Sequence, residues 1–86
     1  MNTKNKVNII DSQHPILRNL DISDGIIIIN NLKLRENSIK IAEIFNVPYI
    51  SIGNIGSSRI VGINAYPEID IIDIITNSIL WSVRIL

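Results

Sequence analysis

The chain predicts a small three-layer α/β domain with a mainly parallel sheet, and three observations carry that expectation. Ile26-Ile27-Ile28-Ile29 is a continuous β-branched run, the pattern of a strand covered on both faces. Leu34, Ser38, Ile41, Ala42 and Phe45 recur at helical spacing behind it. Val47-Pro48-Tyr49-Ile50-Ser51-Ile52-Gly53 then reads as a second buried strand. Strand, amphipathic helix, strand is the order of a parallel crossover unit.

Each element follows in turn. Val7 to Asp11 is a first short strand, and Ser12 to Leu20 a turn with a brief helix that tolerates Pro15 in its first turn. Asp21 to Gly25 is a polar connection into the isoleucine strand. The helix over about 32–45 sets Glu36 and Lys40 as an i,i+4 ion pair on its solvent side. Asn46 ends it, and Val47-Pro48 opens a strand where a missing N–H costs little. Residues 54–58 form a loop and Arg59 to Ile63 a further strand. Asn64 caps a last helix reaching about Leu80, with Pro67 in its first turn and Glu68 and Asp70 favoured by the helix dipole. Trp81 to Leu86 alternates as a terminal strand.

Composition bounds the function. Eighty-six residues make one domain, residues 1–86, and a chain this short buries only about 60–65% of its unfolded surface. Hydrophobic content of 47% with 19% charge is that of a folded chain. Eight basic and eight acidic side chains give a formal charge of +0, with no cationic stripe to neutralise phosphates, which argues against nucleic acid as a partner. Zero cysteines exclude disulfides and thiolate chemistry. The polar start Met1 to Lys6 argues against a signal peptide, and Asp70, Asp73 and Arg84 argue against a membrane span in the apolar last segment. A cytoplasmic location is the expectation.

Several motifs resemble known families. Asp24-Gly25-Ile26-Ile27 and Val47-Pro48-Tyr49-Ile50-Ser51-Ile52 are similar to strands of the effector-binding domain of LacI-type sugar repressors and type 1 periplasmic sugar-binding proteins. Val61-Gly62-Ile63-Asn64-Ala65-Tyr66 resembles a third motif of that family. The resemblance implies a Rossmann-like strand order and a ligand at the strand ends. Asn64 and Ala65 stand where the family has aspartate and asparagine, and Gly53-Asn54 replaces its basic residue. These residues contain no DNA-binding helix pair, second lobe or first central strand of that family. The spacing from Lys6 to Pro48 is also similar to the swivelling domain of phosphoenolpyruvate-utilising enzymes, with Asn37 near the position of its phosphorylated histidine, which implies an inactive relative of that domain as an alternative. Asn46-Val47-Pro48-Tyr49 resembles the kink-turn RNA-binding ribosomal family, which implies an RNA-binding alternative.

Candidate ligand-binding residues are Asn30, Gly53, Asn54, Gly56, Ser57, Ser58, Arg59 and Asn64. In open parallel sheets ligands bind at the carboxyl ends of strands. There the glycines would admit an anion, the serines donate and Arg59 pair with it. The same Gly-Asn sequence also reads as a plain tight turn, and Asn30 as a helix cap. His14, beside Asp11 and Ser12, lacks the arrangement of a nucleophilic set and reads as a surface turn residue. No metal or cofactor motif is present. Ile69, Ile71, Ile72, Ile74, Ile75, Ile79 and Leu80 leave the last helix apolar almost all round. That predicts a homo-oligomer and a non-enzymatic binding or interaction module, with a small polar or anionic molecule as possible ligand.

Overall fold

A computed structural model describes residues 4–68 and 71–86. Six strands and one helix are assigned among them: β1 (Asn5–Lys6), β2 (Asn8–Ile9), β3 (Asp24–Gly25), β4 (Ile39–Ile44), β5 (Val47–Ile55), β6 (Ser58–Ile63) and α1 (Ile72–Ser82). β1 and β3 form a two-stranded ribbon, and the main sheet runs β2-β4-β5-β6. Every strand pairing described is antiparallel. The parallel, three-layer, Rossmann-like α/β expectation is therefore overturned.

Two hairpins explain the difference. Ile44 pairs with Val47, which leaves Phe45-Asn46 as a two-residue loop. Both residues have positive φ, 50° and 66°, the requirement of the tight turn whose twist matches a hairpin. The expected helix over 32–45 is thus an irregular segment followed by β4. Its apolar spacing fits a helix, but Ile39 and Ile44 are β-branched and pair with Ile52 and Val47 of β5. Register shifts around Ala42 hide the two-residue period that would have announced a strand. Lys40 pairs with Glu43 at 2.6 Å instead of with Glu36. Phe45 is 78% exposed, so replacing Phe45-Asn46 by Asn-Gly should stabilise the fold by about 0.5–1 kcal/mol. Urea denaturation reads this directly, and a loss of stability would reject the turn assignment.

The second hairpin joins Ile55 to Ser58 through Gly56-Ser57, with Gly56 at φ +59°. The expected loop over 54–58 is mostly strand. The isoleucine run is not a central strand either. Ile27 is buried and bridges Ala65, whereas Ile28 and Ile29 are half exposed. Asn64 begins no helix. α1 starts seven residues later than expected and runs through Ser82, so Trp81 is helical and residues 83–86 form no strand. Asp70 lies outside the described residues.

Ile16, Ile41, Ile44, Ile50 and Ile74 are the largest fully buried side chains. Val7, Leu17, Ile27, Ala42, Tyr49, Ala65 and Ile71 complete the core. α1 closes it against β6, and Asn77 Nδ2 ties the helix to the 12–20 turns by donating to Ile16 O at 3.2 Å. Trp81 packs at the edge of this cluster.

Candidate functional site

The structure divides the predicted ligand residues among four places. Gly53, Asn54 and Gly56 share a concavity of about 570 Å³ with Arg35, Glu36, Asn37, Ser38, Ile55 and Ile60. β5 presents Gly53 and Asn54, the hairpin turn after it presents Gly56, and the turn that leads into β4 presents Arg35 to Ser38. A Cβ at Gly53 would stand 2.9 Å from Ser38 Oγ, so a larger residue there would push the Ser38 hydroxyl aside. Sequence reasoning missed Arg35 to Ser38 because it set them on a helix.

Ser57, Ser58 and Arg59 leave this group. Ser57 O accepts from Arg84 Nη2 at 2.6 Å. Arg59 donates to Trp81 O at 3.0 Å and Leu86 O at 3.2 Å, with its guanidinium 4.6 Å from the Trp81 ring centroid. It anchors the C-terminal turn, a stacking role well suited to arginine. Asn30 is exposed in the segment after Ile29 and does not line the concavity.

Asn64 is 5% exposed, and its amide is fully engaged by backbone. Oδ1 accepts from Ile29 N at 2.8 Å, and Nδ2 donates to Ile29 O and Pro48 O, each at 2.9 Å. The side chain acts as a short piece of strand between the isoleucine segment and β5.

His14 is half-buried, with its ring centroid 5.0 Å from that of Trp81. Its Nδ1 accepts from Ile16 N at 3.2 Å, so one ring nitrogen serves the local turn. Burial lowers the pKa from 6.5, Asp11 opposes that shift and the Arg59 cation adds to it. A depressed histidine pKa means that the unfolded chain binds more protons just below pH 6.5. Stability should therefore be complete above that pH, fall as acid protonates the ring in the unfolded chain, and level off once the folded ring is protonated as well. His14→Gln should flatten that part of a pH–denaturation curve. Glu43 is held low by hydrogen bonds from Lys40 and Asn8, so its contribution is lost only below the ordinary glutamate range. An unchanged curve in His14→Gln would show that the ring is solvated.

The last element of the site is apolar. Ile72, Ile75, Ile79 and Val83 are exposed at 56%, 40%, 58% and 61%, in one stripe along α1. Ile75 and Ile79 face Ile60, Val61 and Ile63 of β6 across a groove of about 360 Å³. Among the described residues no strand pairs with the other edge of β6. No group of three or more His, Cys, Asp or Glu is placed to hold a metal among them. Nor, among the described residues, is any helix long and apolar enough to cross a membrane. No family model, curated protein or solved structure matches the chain.

Proposed function

We propose that this chain is a non-enzymatic interaction module that works by self-association. The observation that supports this reading best is the apolar stripe of α1 lying beside the open edge of β6. Large contiguous apolar patches mark interaction sites on folded domains. An open strand edge is also a template for another chain. The environment of His14 supports a structural role for that residue, since Nδ1 accepts a backbone N–H and the ring packs on Trp81.

Light scattering on a sizing column tests the proposal. The wild-type chain should elute as a dimer or larger species, and Ile75→Lys with Ile79→Lys should yield a folded monomer. Both side chains are exposed, so circular dichroism should not change. A wild-type monomer at about 100 μM, well above the range of stable complexes, would end the proposal.

A small polar or anionic molecule in the concavity is the second reading, favoured by Arg35 standing beside Gly53, Asn54 and Gly56. Amide shifts confined to residues 35–38 and 53–56 on titration with small phosphates or carboxylates would support it. Their absence at about 10 mM ligand, weaker than any functional affinity, would remove it.

A further inference from the structure

The open edge of β6 has a definite hydrogen-bonding register. Asn64 N donates to Tyr49 O at 2.8 Å, one step beyond the Ile50–Ile63 pair, so Tyr49–Asn64 is a hydrogen-bonded pair. Such pairs alternate with non-bonded ones along an antiparallel ladder. Ile63, Val61 and Arg59 therefore stand opposite Ile50, Ile52 and Asn54 in non-bonded pairs. Their own N–H and C=O groups point away from β5, towards the open edge.

We infer that the occupant of this edge is a second copy of the same strand, paired antiparallel about a two-fold axis through Val61. This rests on the self-association proposed above and specifies its geometry. A two-fold perpendicular to the sheet makes residues opposite one another share a face. With the axis at Val61, Val61 meets the partner's Val61, and Arg59 meets the partner's Ile63 on both sides. All three outward-facing residues then form hydrogen-bonded pairs, two bonds to each pair. An axis moved by one residue would leave one of the three without a partner.

Side chains fit the same register. Ile60 lies opposite the partner's Gly62, which has no Cβ to obstruct it. Arg59 is the only charged residue of β6. It is offset from the partner's Arg59 by four positions, about 13 Å, so no like charges face each other. α1 packs against β6 beside this edge. The axis sets the two helices on one face, with their Ile75 and Ile79 flanks turned together. Ile60, Ile72, Ile75, Ile79 and Val83 place on the order of 400 Å² of apolar surface beside the joint, about half of the ~800 Å² per partner in a standard interface. The strand backbones and the flanks of the groove would supply the rest.

Cysteine cross-linking of the full chain tests the register, because the protein has no cysteine of its own. In Val61→Cys the two sulfurs are borne by directly opposed residues about 5.5 Å apart at Cα, within disulfide reach. In Ser58→Cys the two positions are about 20 Å apart on the paired strands. Mild oxidation should convert most of Val61→Cys to a covalent dimer on a non-reducing gel and leave Ser58→Cys monomeric, although Ser58 is the more exposed. A wild-type dimer by light scattering whose Val61→Cys variant does not cross-link would overturn the strand pairing and leave self-association standing. Ser58→Cys linking as readily as Val61→Cys would also overturn it. A wild-type monomer would overturn both.

Discussion

Asn64→Ala should lower the unfolding free energy by about 3 kcal/mol and the melting temperature by roughly 15 °C, a large effect for a domain of this size. Three hydrogen bonds are lost, and Pro48 O is left buried without its donor. A buried orphan acceptor costs about 1–3 kcal/mol, more than the bond itself contributed. Ile29 is half exposed and can recover part of its loss from water. Asn64→Asp separates the two halves of the amide. It keeps an acceptor for Ile29 N but sets a carboxylate oxygen against two carbonyls. Its pKa should rise in the fold, so this variant should gain stability as pH falls through the raised value. Thermal melts of both variants at two pH values check the argument. A cost below about 1 kcal/mol for Asn64→Ala would mean that the amide does not bridge the segments.

Ile50→Ala should be still more damaging, at about 4 kcal/mol. Ile50 is 0% exposed in the middle of β5, opposite Ala42 on one side and Ile63 on the other. Ala42 is already small, so little can collapse into the space left. For 86 residues that cost approaches the lower end of the whole expected stability, about 4–13 kcal/mol. Ile50→Val should cost about 1 kcal/mol. Ile39→Ala and Ile55→Ala should each stay within about 0.5 kcal/mol, because these side chains are 62% and 58% exposed. Four substitutions at one residue type thus separate burial from composition. Equal midpoints in urea would show that the core is elsewhere.

The candidate site was partly legible in the sequence. The apolar excess of the last helix pointed to an outer face in need of cover, and α1 does expose Ile72, Ile75 and Ile79. Gly53, Asn54 and Gly56 do lie together. Arg59 could not be foreseen on Trp81, because 22 residues separate the two and only the packing of α1 on β6 joins them. The engagement of Asn64 spans 35 residues to Ile29 and was equally hidden. A polar side chain that completes backbone hydrogen bonds carries no local sequence signature.

Local chemistry by itself determined only part of where the chain extends and turns. β-branched residues from Val47 onward make β5, Arg59 to Ile63 lies within β6, Gly56 marks a hairpin, and the isoleucine-rich segment near the C-terminus makes a helix. Tertiary structure decided the direction of the strands and the state of residues 39–44. A six-residue segment that is apolar but for Lys40 and Glu43 satisfies helical and extended spacing alike, and its backbone groups can bond within a helix or to a neighbour. Here Phe45 and Asn46 turn the chain back, so β5 lies alongside and supplies the ladder. The segment extends because its bonding partners are already there, and the sheet is antiparallel because those partners are only a two-residue turn away.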